Sequence, residues 1–230
     1  HHPGASTLAG LGRVFALEHP EAWGGLVDLD PDGEIGAAAV DALLSLDPED
    51  EQAVRGDRRL AVRIVRTDAA ALAQAPSRWH RPGTVLVTGG LGGIGAELAR
   101  QLAVAGTERI VLTARTPLAP EAEWSSLAAD DPRAARVAAV RSARAAGAEV
   151  RVVAVDAADG EAMRALVDEL ASDPRLPLRG VVHAAGVSIP QMVHEVDPDS
   201  YAAVWRPKVL GAWVLHEATR GKDLDFFVCF

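Results

Sequence analysis

A chain of 230 residues is long enough for one large or two modest domains, and 49% hydrophobic with 24% charged residues is the balance of a globular protein with an ample core. A net charge of −9 sets the overall field against nucleic acid and anionic membrane surfaces, so an anionic ligand must be held by local groups. One cysteine, Cys229, excludes an internal disulfide and a cysteine-based zinc site and suits a reducing, cytoplasmic setting, and no apolar run is long enough to span a bilayer.

Leu8, Leu11, Val14, Phe15 and Leu17 follow a helical spacing from Ala5 to Glu18, stopped by His19-Pro20. Trp23 to Leu29 reads as a short strand and Ile35 to Leu46 as a second helix. Gln52 to Arg66 reads as two short strands around Gly56-Asp57, a hairpin turn. These elements are α/β but carry no phosphate loop, and they are expected to be the latter part of a nucleotide-binding-like fold. Thr67 to Gly83, rich in Ala, Pro and polar residues, is the expected linker, which divides the chain into a structural subdomain over 1–80 and a second unit over 81–230.

The second unit alternates: strand 84–88, helix 93–105, strand 108–113, an Ala-rich helical region ending near Ala146, strand 148–155, helix 159–171, strand 179–184, helix 198–219 and strand 224–230. Strands separated by helical patterns imply βαβ units and a Rossmann-like, doubly wound parallel sheet. Continuous apolar runs such as Val150 to Val155, broken only by Arg151, suit strands covered on both faces. The last strand runs to the final residue, so the domain is expected to continue beyond Phe230.

The first strand of this unit enters Thr88-Gly89-Gly90-Leu91-Gly92-Gly93-Ile94-Gly95, and a helical pattern leaves it. Gly90, Gly92 and Gly95 fit G-x-G-x-x-G, in which glycines permit a tight turn, close approach of backbone to a pyrophosphate and close packing of helix on strand. The helix that follows aims free N–H groups and its positive dipole end at the anion. The next strand ends in Ala114-Arg115 with no carboxylate. An acidic residue there would select NAD(H), whereas Arg115 favours the 2′-phosphate of NADPH.

Ligands in such sheets lie outside the carboxyl ends of the strands, which brings Asp156 and His183-Ala184-Ala185-Gly186 to the same crevice. Asp156 either accepts a hydrogen bond from the adenine amine or caps the following helix. Ala184, Ala185 and Gly186 lack bulk and leave room for a flat ring, and His183 reads as a strand-end histidine held by a structural hydrogen bond rather than as an acid or base. On the last long helix Lys208 has Val204, Gly211, Ala212 and Leu215 at helical neighbour positions, an apolar face on which a lysine needs a partner or a task. Pro207 is expected to kink or break that helix beside it.

Together these residues resemble the ketoreductase domain of polyketide synthases, in the short-chain dehydrogenase/reductase superfamily. Gly10 to Val14, Leu17 to Glu21 and Trp23 to Asp28 look like that family's structural, non-catalytic subdomain, Thr88 to Gly95 its phosphate loop, and His183 to Gly186 its form of the superfamily's N-A-A-G stretch. Trp205 to Trp213 with Leu215-His216-Glu217 is the most specific match. Stand-alone relatives usually carry Asn at the position of Lys208, and synthase domains exchange it for the catalytic lysine.

The resemblance implies reduction by NADPH, bound by Gly89 to Gly95, Arg115, Asp156, Ala184 to Gly186 and Lys208, of a β-ketoacyl chain carried on the phosphopantetheine of an acyl carrier protein within a multidomain synthase. No metal is implied. The family's catalytic serine and tyrosine would lie beyond Phe230. The only tyrosine, Tyr201, does not match, so this chain alone is expected not to turn over. Ser188-Ile189-Pro190 stands where members setting a D-hydroxyl carry Leu-Asp-Asp, which resembles the group producing an L-hydroxyl. Leu118 to Arg144, with Glu123-Trp124, resembles an insertion of some iterative and trans-acyltransferase synthases. Two other readings are a silent scaffold with the fold but no reductive role, and a stand-alone dehydrogenase, against which Lys208 and residues 10–66 argue.

Overall fold

The computed structural model describes residues 3–30, 33, 35–44, 49–66, 82–128 and 130–230. The chain divides into two compact units, His1–Ala75 with Gln191–Val196, and Pro76–Pro190 with Asp197–Phe230. The hexapeptide 191–196 thus groups with the first unit, although it lies far along the sequence. Most of the expected linker, 67–81, and the end of the second expected helix lie outside the described residues.

In the first unit the elements are α1 (Pro3–Glu18), β1 (Leu26–Asp28), α2 (Ala37–Leu44), β2 (Glu51–Arg55) and β3 (Arg58–Ala61). β1 runs parallel to β2, which pairs antiparallel with β3. The hairpin turns at Gly56, whose φ of 58° is a left-handed conformation that a side chain would resist. Ala39, Ala42 and Val54 form a small core with Val27 and Leu29 against it. The helical spacing of α1 is realised, yet Leu8, Leu11 and Leu17 are exposed. Phe15 and Gly12 pack against Trp23, and polar contacts add to this: Arg13 pairs with Glu51, and the Glu18 carboxylate accepts the Val193 N–H at 2.7 Å.

The second unit comprises β4 (Thr84–Thr88), α3 (Gly93–Val104), β5 (Arg109–Ala114), a 3₁₀ turn (Glu121–Glu123), α4 (Pro132–Ala145), β6 (Glu149–Ala154), α5 (Gly160–Ala171), β7 (Leu178–His183), α6 (Pro198–Trp205), a π-helical turn (Arg206–Leu210), α7 (Gly211–Thr219) and β8 (Phe226–Cys229). Its five strands are all parallel in the order β6-β5-β4-β7-β8. The chain builds outward from β4 to β6, then crosses back to place β7 on the other side of β4. This reversal opens a crevice at the carboxyl ends of the central strands, as in doubly wound nucleotide-binding sheets.

Alternation along the strands explains the two covering layers. Val85, Val87, Ile110 and Leu112 face Ala99, Leu102 and Ala103 of α3 and Val137, Val140 and Ala143 of α4. On the other face Leu86, Val111 and Val181 meet Met163, Leu166 and Val167 of α5 and Leu215 of α7. All five residues of β4 are buried. β6, whose apolar run suggested a strand covered on both faces, is instead an edge strand in which Val150 alone is buried. Arg151 breaks the run and pairs with Glu169 at the rim.

The segment between β5 and α4 is docked rather than looped out. Trp124 is buried, donates its indole N–H to the Ala119 carbonyl at 2.7 Å, and lies under the guanidinium groups of Arg141 and Arg144 at 5.6 and 5.3 Å. The helical region expected through this stretch is therefore a 3₁₀ turn followed by α4. The single helix expected over 198–219 is interrupted as Pro207 suggested, here by a widened π turn in which the Gly211 N–H bonds to the Arg206 carbonyl. Proline has no N–H for the α-helical ladder and its ring crowds the preceding turn, so the helix changes register there.

Candidate nucleotide-binding site

The loop after β4 is closed by steric exclusion. Gly89 has φ 66°, and a Cβ on it would lie 2.7 Å from the Ala184 carbonyl oxygen. A Cβ on Gly95 would lie 2.4 Å from the Gly89 carbonyl oxygen and 2.7 Å from the Gly90 Cα. Gly92 is the N-cap residue of α3 and supplies no side-chain cap, whereas α4, α5 and α6 are capped by Asp131, Asp159 and Asp197. The first N–H groups of α3 therefore face the crevice without a carboxylate, a ready anion site.

A cleft of about 400 Å³ lies over the strand ends, lined by Gly89, residues 91–95, residues 113–116, Arg136, residues 155–157, residues 184–187 and Pro207. It brings together Gly89, Leu91, Gly92, Gly93, Ile94, Gly95, Arg115, Asp156, Ala184, Ala185 and Gly186. Gly90, expected in the site from the motif, stands behind it. A Cβ there would lie 2.7 Å from Leu112 Cδ2, and its N–H donates to the Thr113 carbonyl, so it serves the packing of loop on strand.

Arg115 and Arg136 both line the cleft, and among the described residues neither guanidinium has a hydrogen bond or ion pair with the protein. Arg136 is half-buried on α4. Sequence reasoning missed it because its place depends on where α4 starts after a segment of irregular length, which no spacing rule supplies. Asp156 accepts the Ala158 N–H at 2.9 Å and lies 3.4 Å from an Arg206 nitrogen. The cap of α5 is Asp159, which leaves Asp156 on the cleft wall and removes the capping alternative.

His183 is buried at the end of β7, with Nδ1 2.6 Å from Thr88 Oγ1 and Nε2 2.8 Å from the Pro207 carbonyl oxygen. Burial pushes its pKa down, and the nearby Lys208 charge adds to this against the hydrogen bonds that oppose it. Lys208 departs from the apolar-face expectation. It sits in the π turn and is exposed, its ammonium donates to the Phe230 main-chain oxygen at 2.7 Å, and its Cε occupies the space a Cβ on Gly186 would need. The π turn rotates the residues after Pro207 away from the positions that α-helical spacing assigns.

Among known proteins, residues 83–230 match the family model described as KR domain. The chain is 37% identical over 225 residues to a phenolphthiocerol/phthiocerol polyketide synthase of Mycobacterium tuberculosis, covering 96% of this chain and 12% of that protein. It is 38% identical over 231 residues to pikromycin polyketide synthase component PikAIII of Streptomyces venezuelae, covering 99% and 14%. Solved structures similar to it include an A-type ketoreductase from a modular polyketide synthase (TM-score 0.76, 37% identity, 97% of this chain and 45% of that one) and the first ketoreductase of the tylosin synthase (TM-score 0.75, 38% identity, 96% and 44%). The chain thus spans under half the length of those ketoreductases and a small fraction of the synthases.

Proposed function

The chain belongs to the ketoreductase (KR) domain family of polyketide synthases, and from this we propose that it forms the cofactor-binding part of an NADPH-dependent β-ketoacyl reductase. The observation that carries the cofactor reading is the pair of guanidinium groups, Arg115 and Arg136, which line one cleft and, among the described residues, make no side-chain hydrogen bond or ion pair, while the cleft's one carboxylate, Asp156, lies beside Arg206. A carboxylate at the end of β5 would repel a 2′-phosphate, and none is there.

The residues fit a dinucleotide phosphate. The uncapped start of α3 would hold the pyrophosphate against the N–H groups of the glycine loop, Arg115 and Arg136 would hold the 2′-phosphate, and Asp156 would accept from the adenine amine. When bound, the reduced nicotinamide supplies a hydride. Ala184, Ala185 and Gly186, which line the cleft and carry little or no side chain, would leave room for the ring. Lys208, next to Gly186, would bind the ribose hydroxyls and lower the pKa of a proton-donating tyrosine outside this chain. The substrate would be a β-ketoacyl thioester on an acyl carrier protein. The product would be an L-hydroxyl, a reading supported by Ser188-Ile189-Pro190, and the setting that of a cytoplasmic synthase with further domains.

The test is direct titration of the chain with NADPH and NADH, followed by turnover of a carrier-bound β-ketoacyl thioester by a ketoreductase that contains the chain, with chiral analysis of the product. Tighter binding of NADPH and formation of the L-hydroxyl are expected. Equal affinity for the two nucleotides would overturn the cofactor reading, and absence of reduction would leave the scaffold reading standing.

A further inference from the structure

The helix carrying Lys208 is discontinuous, and a discontinuity beside a working residue needs something to fix its register. Pro207 supplies the break, and the Gly211 N–H reaches back five residues to Arg206. The Pro207 carbonyl lies 2.8 Å from His183 Nε2, while His183 Nδ1 lies 2.6 Å from the Thr88 hydroxyl. A carbonyl oxygen only accepts, so Nε2 carries the proton, and in a neutral ring Nδ1 then accepts from Thr88. Thr88 directly precedes the glycine loop, and its carbonyl takes the Ala184 N–H at 3.0 Å. One imidazole therefore ties together the end of β4, the end of β7 and the π turn.

The surroundings are shaped for this ring. A Cβ on Gly211 would lie 3.0 Å from His183 Cε1 and 3.3 Å from the Ala157 Cβ, so α7 packs closely on the imidazole, and a side chain at that position would need the ring to yield by a few tenths of an ångström. Thr88 and His183 are both buried, which makes an unfilled bond at either nitrogen costly. Lys208, one residue after the tethered carbonyl, is by contrast exposed; its ammonium bonds to the Phe230 main-chain oxygen and its side chain lies over Gly186.

We propose that His183 is a positioning residue that locks the π turn through the Pro207 carbonyl and so sets the place of Lys208 over Gly186. The functional consequence rests on the reading of Lys208 as part of the reducing site, while the positioning itself does not.

Two measurements separate those claims. Nitrogen-15 spectroscopy of the histidine-labelled chain should show His183 protonated at Nε2 and bare at Nδ1, and the reverse tautomer overturns the proposal without any variant having to fold. Because Lys208 and Lys222 are the only lysines, carbon-13 methylation gives resolved signals for each. His183→Leu should shift the Lys208 signal and leave Lys222 in place, and His183→Gln, which keeps a donor near the ε position, should restore it. An unmoved Lys208 signal in a folded His183→Leu chain overturns the proposal. In a ketoreductase containing the chain, His183→Leu should lower kcat at least tenfold, with a smaller rise in KM for NADPH from the displaced ribose contact of Lys208, and His183→Gln should recover most of both losses. A loss confined to KM, or one that His183→Gln does not relieve, overturns it too. If the unaltered protein turns over no substrate, the reductase reading fails and the two spectroscopic tests still decide the positioning.

Discussion

Replacing Gly95 by alanine tests whether the loop is held by steric exclusion. The added Cβ would sit 2.4 Å from the Gly89 carbonyl oxygen and 2.7 Å from the Gly90 Cα. Both are main-chain atoms that cannot rotate away, and an ordinary contact needs roughly 3.5 Å or more. The loop or α3 must therefore shift by about an ångström, and overpacking of this kind costs about 1–3 kcal/mol. We expect urea unfolding to show a loss near the top of that range. Displacement of the α3 N–H groups from the phosphate position should also forfeit one charged hydrogen bond, about 1.5–3 kcal/mol, or roughly a 10- to 150-fold loss of NADPH affinity. Gly93→Ala is the control: nothing lies within 4 Å of its Cβ, and it stands at the first position of α3 rather than in the helix interior, so stability should hold. The steric reasoning is refuted if Gly95→Ala matches Gly93→Ala in unfolding midpoint and the parent in NADPH affinity.

Arg115→Gln and Arg136→Gln should each weaken NADPH binding about tenfold, the order of one exposed charge-assisted contact, and leave NADH binding unchanged; parallel losses for both nucleotides in a titration would remove the 2′-phosphate assignment. Trp124→Ala should cost about 3–5 kcal/mol in chemical unfolding, as for a buried tryptophan. Trp124→Phe, which keeps an aromatic ring but loses the indole's added volume and its N–H bond to Ala119, should cost about 1–3 kcal/mol, less than Trp124→Ala. His183 gives a pH dependence of defined sign. Its pKa is lowered in the fold, chiefly by burial, so the unfolded chain takes the proton first as pH falls. The stability it contributes is present above the usual imidazole value near about 6.5 and is lost on acidification through the lower folded value. The advantage of the parent over His183→Gln in unfolding midpoint should therefore be larger at alkaline than at acid pH, and a constant difference would contradict it.

The glycine loop was legible because its chemistry is local: only residues without a Cβ fit between Gly89, Gly95 and Ala184, and the strand before it and the helix after it are visible as patterns. Arg115 and Ala184 to Gly186 were legible because they end strands, and strand ends in a parallel sheet share one edge. Arg136 was not, since α4 follows the docked segment around Trp124 and the helix phase at the cleft is set by that packing. The surroundings of Lys208 were misjudged for a related reason. Its identity is written in the sequence, but helical spacing assumes an unbroken helix, and the π turn after Pro207 changes which side chains are neighbours.

Sequence by itself determined the βαβ alternation, the glycine loop between strand and helix, the arginine in place of a carboxylate after β5 and the family resemblance, because each depends on residue type at short separations along the chain. Tertiary structure alone decided that β6 is an edge and β4 the buried centre, that Arg136 joins Arg115, that Asp156 faces the cleft while Asp159 caps α5, and that His183 grips the turn carrying Lys208. Those facts join residues distant in sequence, and only the packing of strands and helices brings them within hydrogen-bonding reach.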